Sequence, residues 1–265
     1  MTAAALLTVQ GLTIRFGGLT AIEDLSLEVR EGEVLALIGP NGAGKTSAFN
    51  AITGYLAPSA GEIVLGGVRL NGLKPHRIAE LGLVRTFQKT SVFGGRSALE
   101  NILIGLHLRG TQTPLAIFFG LPAVAREEKR LETEARKILE FVGLGSREED
   151  AASALPYGEQ RLLEIAIALA AKPKLLLLDE PVSGMNPVET ESFMAKLTEI
   201  RALGITVLLV EHDMKMVMSV SDRIVCLSQG RVIASGTPAE IQRDPEVIRA
   251  YLGESYARRQ EAARA

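Results

Sequence analysis

Apolar and polar residues alternate along the opening of the chain. Leu7-Thr-Val-Gln, Leu12-Thr-Ile-Arg-Phe16 and Leu25-Ser-Leu-Glu-Val29 each keep the two-residue period of a half-buried strand. Gly17-Gly18 predicts a turn between them. The pattern then changes. Val34 to Ile38 and residues 174–178 are continuous apolar runs, as expected of parallel strands buried on both faces, and residues 205–210 predict another strand. Helical stretches fall between the strands: 47–52, then 75–81 stopped by Gly82, 162–171, and 187–203 stopped by Gly204. A short helix carries Met214, Met216, Val217 and Met218, read as core filler. Residues 61–67 predict a hairpin strand. Residues 83–87, 223–227 and 231–234 predict further strands, the last two joined at Gln229-Gly230.

Between positions 97 and 142 the period becomes helical. Ser97-Ala-Leu-Glu100 has the spacing of a capping box, and Leu131, Ala135, Ile138, Leu139 and Val142 form one apolar stripe. Arg126-Glu-Glu-Lys-Arg130 reads as the solvated face of that helix, not as a nucleic-acid patch. The run 115–124 is too short to span a bilayer and too apolar for an ordinary surface loop. It either packs into the helical subdomain or faces another subunit. The tail after Gly253 has few apolar residues and reads as a frayed or disordered end.

Composition narrows the picture. With 265 residues, 47% of them hydrophobic, the chain can bury a sizeable core. A net charge of −2 gives no global basic field for nucleic acid. The single cysteine, Cys226, lies in an apolar strand and excludes an internal disulfide framework. No apolar run approaches the roughly 20 residues of a membrane helix, and no charged-then-apolar leader opens the chain. A role at a membrane would therefore need a docking partner.

The chemistry gathers at strand ends. Gly39-x-x-x-x-Gly44-Lys45-Thr46 follows the buried run at 34–38 and opens a helix, the spacing of a phosphate-binding loop. Glycines let the backbone approach an anion, and Asn41, Gly42, Ala43, Gly44, Lys45, Thr46 and Ser47 would turn their N–H groups inward as a nest. Lys45 would bridge the β- and γ-phosphates of ATP, with the Thr46 hydroxyl on Mg²⁺. Asp179-Glu180 end the second apolar run. Two carboxylates at the edge of a buried strand are costly unless a cation or a hydrogen-bond network meets them. Asp179 would help hold Mg²⁺, and Glu180 would orient and polarise the attacking water. His212 sits just past the end of the strand at 205–210 and reads as a γ-phosphate sensor, since ligands collect at the carboxyl ends of strands in such sheets. Phe16 is either a core aromatic or an adenine platform, and Gln88 either a metal or water ligand or an exposed strand end.

Together the phosphate loop, Gln88, Leu155-Pro-Tyr-Gly-Glu-Gln-Arg161, Leu178-Asp-Glu-Pro181 and His212 resemble the ATP-binding subunits of ABC transporters, over about residues 6–253. Arg15-Phe-Gly-Gly-Leu-Thr-Ala21, Phe49-Asn-Ala-Ile-Thr-Gly54, Pro75-His-Arg-Ile-Ala79, Arg85-Thr-Phe-Gln88 and Gly184-Met-Asn-Pro187 resemble the LivG-type branch, which serves branched-chain amino acid importers. A urea or amide importer would look similar, and a soluble ABC ATPase would share the nucleotide chemistry. The resemblance implies an α/β fold. Its phosphate-loop NTPase core has a mostly parallel sheet, an N-terminal antiparallel β subdomain and an inserted helical subdomain at about 97–170.

The resemblance also implies roles. Phe16 would stack on adenine, Gln88 would meet Mg²⁺ as the Q-loop glutamine, Asp179 and Glu180 would be the Walker B aspartate and the catalytic glutamate, and His212 the switch histidine. Leu155, Pro156, Tyr157, Gly158, Glu159 and Gln160 match the family signature, which closes over ATP held by a second cassette, head to tail and typically a related chain. Further partners implied are two integral membrane permease subunits and, indirectly, a periplasmic or extracellular substrate-binding protein, with no nucleic acid. The location implied is peripheral, on the cytoplasmic face of the inner membrane. The chain departs from the common pattern at Pro156 (serine in many members), Tyr157 (glycine), Ile167 (arginine) and Asn186 (aspartate).

Overall fold

Three strands expected in the first thirty residues are two. In the computed structural model, which describes residues 4–86, 92–106 and 122–252, β1 (Ala5–Phe16) and β2 (Leu19–Arg30) form one long hairpin. Val9 and Leu12 are both buried although three positions apart, so the alternation changes phase between them. The pairing register shifts there, and Gly11 takes φ 59°. A bulge absorbs the extra residue and returns both apolar sets to one face. β4 (Ala60–Leu65) pairs with the other edge of β1, and β5 (Val68–Arg69) completes an antiparallel sheet ordered β2-β1-β4-β5.

The second sheet runs β10-β9-β3-β8-β7-β6. Its members are β3 (Val34–Ile38), β6 (Leu83–Arg85), β7 (Leu175–Asp179), β8 (Thr206–Val210), β9 (Arg223–Ser228) and β10 (Arg231–Gly236). All pairs are parallel except β9 with β10. Every residue of β3, β7 and β8 is buried, including Asp179 and Thr206 among their apolar neighbours. Leu35, Leu37, Leu177 and Leu208 join Leu7, Val9, Phe49 and Ile52 in one core that spans both sheets and α1 (Lys45–Ile52). The fold is α/β, as expected.

These sheets, with α1 and α2 (Pro75–Glu80), belong to one compact unit, which takes in the described residues up to Arg85, Lys174–Glu180, and those from Leu197 onward. A second unit comprises the described residues of Thr86–Pro173 together with Pro181–Lys196. It holds α3 (Ala98–Leu106), α4 (Pro122–Phe141) and α5 (Tyr157–Ala170). The capping box at α3 is complete: Ser97 N–H donates to Glu100 Oε2 (2.9 Å) and Glu100 N–H to Ser97 Oγ (3.2 Å). One expectation fails. The stretch 126–130 is solvated except for Glu127, which is buried because it lies four residues before Leu131, on the apolar stripe, where Arg130 Nη2 reaches it at 3.6 Å.

The α6 helix (Pro187–Ala202) runs through the boundary between the units, and α7 (Met214–Val220) follows β8. Two terminal helices were missed from the sequence, α8 (Pro238–Ile241) and α9 (Pro245–Leu252). Thr237 and Glu240 form a reciprocal capping box at α8, a spacing legible in Thr-Pro-x-Glu. Gln88, the end of the 83–87 strand, most of the 115–124 run and the C-terminal tail lie outside the described residues. Among the described residues, no helix is long and apolar enough to cross a membrane.

Candidate active site

The parallel order brings the carboxyl ends of β3, β7 and β8 side by side, so Gly39, Glu180 and His212 follow adjacent strands. The loop after β3 leaves no room for a side chain at Gly39 or Gly44. A Cβ on Gly39 would sit 2.2 Å from the Leu227 carbonyl oxygen of β9. One on Gly44 would meet Ile22 at 2.5 Å and the Ala21 carbonyl at 2.7 Å, at φ 103°. Ala43 N–H donates to Pro40 O (3.1 Å), and Gly230 N–H donates to Ala43 O (3.0 Å), which fixes the loop from both sides.

Gly44 caps α1 without a side-chain hydrogen bond, so the N–H groups of the first turn keep their capacity for an anion. Lys45 is buried, and its ammonium donates to Gly39 O (2.6 Å) and Pro40 O (3.2 Å). Burial lowers the Lys45 pKa, while Glu180, Cys226 and Asp179 work in the opposite direction. Asn41, Gly42, Ala43, Gly44, Lys45, Thr46 and Ser47 line a cleft of about 230 Å³ together with Ala21, Glu180 and His212. A loop closely packed at Gly39 and Gly44, a helix start without a side-chain cap and a buried ammonium suit a phosphate chain. Among the described residues, no three His, Cys, Asp or Glu side chains converge to hold a metal. A magnesium ion here would be shared with phosphate oxygens, which suits its hard, oxygen-rich coordination.

Glu180 and His212 meet across the cleft, with His212 Nε2 2.8 Å from Glu180 Oε1. Glu180 adopts φ 49°, a left-handed conformation disfavoured for a residue with a Cβ, and its N–H donates to Val210 O (2.8 Å). Glu211, unremarked in the sequence, is buried, and its Oε2 accepts the N–H groups of His212 (2.6 Å) and Asp213 (3.1 Å). Asp213 in turn caps α7 through Met216 N–H (2.9 Å). The chain around His212 is thus pinned on both sides.

Asp179 is buried, and its Oδ2 accepts from Arg85 Nη2 at 2.6 Å. Arg85 Nη1 also donates to Asn50 Oδ1 (2.7 Å), and the guanidinium lies 5.6 Å from the centre of the Phe49 ring. This pair joins β6, β7 and α1 behind the loop. Sequence reasoning missed it, although an arginine closing an apolar strand was a signal. Phe16 ends β1, half-exposed, and is not among the residues lining the cleft. Leu155 to Gln160 lie in the second unit: Pro156 caps α5, Tyr157 and Gly158 open it, and Gln160 Nε2 donates to Leu155 O (2.9 Å).

Residues 22–183 match the ABC transporter family, and residues 231–257 match a family described as branched-chain amino acid ATP-binding cassette transporter. The chain is 46% identical to the high-affinity branched-chain amino acid transport ATP-binding protein BraF of Pseudomonas aeruginosa, over 94% of this chain and 98% of that one. It is 44% identical to the corresponding protein LivG of Escherichia coli K12, with the same coverage. Among solved structures, the ADP conformation of MJ1267, an ATP-binding cassette of an ABC transporter, superposes with a TM-score of 0.83 at 32% identity, covering 95% of this chain and all of that one.

Proposed function

The chain belongs to the ABC transporter family of ATP-binding cassettes, and from that premise we propose that it is the ATP-hydrolysing subunit of an importer for branched-chain amino acids. The observation that carries the reading is the meeting of Glu180 and His212 on the cleft formed by Lys45 and its loop. In this reading the N–H groups from Asn41 to Ser47 and the Lys45 ammonium bind the phosphates of ATP. Thr46, Asp179 and Gln88 would hold magnesium, which supplies positive charge against the developing phosphoryl charge. Glu180 orients the attacking water and takes its proton, and His212, held by Glu211, fixes the Glu180 carboxylate. Phe16 offers its exposed ring to adenine.

Leu155, Pro156, Tyr157, Gly158, Glu159 and Gln160 would act on nucleotide bound by a second cassette, a related chain paired head to tail. ATP favours the closed pair and hydrolysis releases it, so the cycle is a population shift driven by differential affinity. Two integral membrane subunits would carry the motion across the membrane, with the chain docked on their cytoplasmic face and a substrate-binding protein acting through them.

A tagged pull-down from detergent-solubilised membranes, with retained chains identified by mass, tests this. Recovery of two integral membrane proteins and a second cassette is the expected result. Recovery of soluble assemblies alone would assign the same ATPase chemistry to another task.

A further inference from the structure

Tyr157 puts a large side chain at the start of α5, where the common signature has glycine. The ring turns toward the loop that follows Glu180. Its hydroxyl donates to the Ser183 carbonyl (2.9 Å) and accepts from Arg161 Nε (3.1 Å) and Nη2 (2.8 Å). Arg161 is itself buried, and Glu164 holds its Nη1 at 2.8 Å. The donor behind the hydroxyl is therefore fixed. Gly184, at φ 85°, lies against the ring, where a Cβ would stand 3.2 Å from Tyr157 Cε1.

A second contact lies one residue on. A Cβ on Gly158 would be 2.8 Å from Glu189 Oε1, while Glu189 Oε2 accepts Asn186 N–H (2.9 Å). Asn186 Oδ1 caps α6 through the N–H groups of Val188 (2.9 Å) and Glu189 (3.0 Å). The 183–186 loop is thus bonded to the start of α5 at Ser183, and at its other end the Glu189 side chain that accepts Asn186 N–H packs closely against Gly158. Loop and helix belong to one compact unit, whereas Glu180 belongs to the unit of the phosphate loop, and the chain changes unit at the Glu180–Pro181 bond.

We propose that Tyr157 is a positioning residue whose hydroxyl, backed by Arg161, clips the 183–186 loop to the signature helix, so that engagement of the signature by a second cassette's nucleotide reaches the Glu180 backbone. Only Pro181 and Val182 separate the clip from Glu180, and the proline ring fixes one of the few torsions between them. A clipped loop passes a displacement on. A loose one absorbs it. The proposal rests on the reading that the chain works as one of a pair of cassettes.

Tyr157→Phe keeps the ring against Gly184 and removes only the hydroxyl. In the full chain, assayed with the partners that copurify with it, the variant is expected to keep KM for ATP within about two-fold while kcat falls about 5–30-fold, the scale of one lost hydrogen bond to a charge-backed group. Hydrogen exchange at the amides of 182–186 is expected to quicken on ATP addition in the variant and to slow in the parent. Parent-like kcat with unchanged exchange overturns the clip. The dependence of parent turnover on the concentration of the second cassette separates the two failures. If turnover is independent of that concentration, the paired reading falls and the clip with it. If it rises and the variant still behaves as the parent, only the clip falls.

Discussion

His212 Nε2 and Glu180 Oε1 stand 2.8 Å apart at the carboxyl ends of neighbouring parallel strands, on the wall of the same cleft. The backbone beneath each side chain is fixed. The N–H of Glu180 donates to Val210 O, and the N–H of His212 donates to the Glu211 carboxylate. The arrangement is that of a base with its orienting group.

Replacing Glu180 with Gln keeps the shape and removes the proton acceptor. ATP turnover is expected to fall on the order of 10²–10⁴-fold, with ATP affinity within a few-fold of the parent. His212→Ala is expected to lose less, about 10–100-fold, because the base remains but is no longer fixed. Phosphate release and equilibrium nucleotide binding, measured on the same preparations, check both. Turnover near the parent level in Glu180→Gln would put the base elsewhere.

Lys45→Ala removes a buried ammonium and its two hydrogen bonds to the loop carbonyls. The loss should appear in binding itself, as a drop in ATP affinity of about 10-fold or more, equivalent to one charge-assisted contact of about 1.5–3 kcal/mol. Titration with a fluorescent ATP analogue reads it directly. Undiminished affinity would show that the loop alone holds the phosphates.

Arg85→Met leaves Asp179 buried without its partner cation. Removing one member of a buried pair costs about 3–5 kcal/mol, so a fall of that size in unfolding free energy is expected by urea denaturation. The double variant Arg85→Met/Asp179→Asn should recover part of the loss, since no uncompensated charge remains. A surface pair such as Arg77 with Glu80 should show about 1 kcal/mol at most in the same assay.

Burial raises the Cys226 thiol pKa to about 11, Asp244 adds to the effect, and Lys45 opposes it. The folded protein therefore keeps a proton that the unfolded chain releases from about pH 9 upward. This contribution to stability is complete below pH 9 and is lost as the pH rises through about 11. Denaturation midpoints should decline across that window, and by less in Cys226→Ala. Iodoacetamide at pH 8 should modify the thiol only after unfolding.

The phosphate loop, the Asp179-Glu180 pair and His212 were legible because each is a short pattern at the end of a predicted strand, and a buried parallel strand announces both its length and its carboxyl end. The segments at Leu7–Gln10 and Leu12–Phe16 were read as two strands instead of one, because a bulge shows itself in sequence only as a glycine and a broken alternation. Glu127 was misread as surface because the charge run hid its place on the helical stripe. Arg85 and Tyr157 were invisible as structural partners for a different reason. Arg85 finds Asp179 across 94 positions, and Tyr157 finds Ser183 across 26, and no local period encodes such meetings. The short C-terminal helices had a legible cap at Thr237 and Glu240, but too little length to make a periodic stripe.

The strand beneath the phosphate loop has a late biography. Val34 pairs with Val207, and Ile38 with Cys226, while the antiparallel sheet closes entirely among residues from Ala5 to Arg69. On a ribosome the hairpin sheet can assemble early from neighbouring segments, whereas β3 must wait for β8 and β9 to emerge. Until then Gly39 lacks the Leu227 carbonyl that presses against it, and the residues that would grip ATP are synthesised but not yet shaped. A chain truncated before Leu227 would lack this contact and is expected to bind nucleotide more weakly. The loop at Gly39 is thus shaped by strands that follow it far along the sequence.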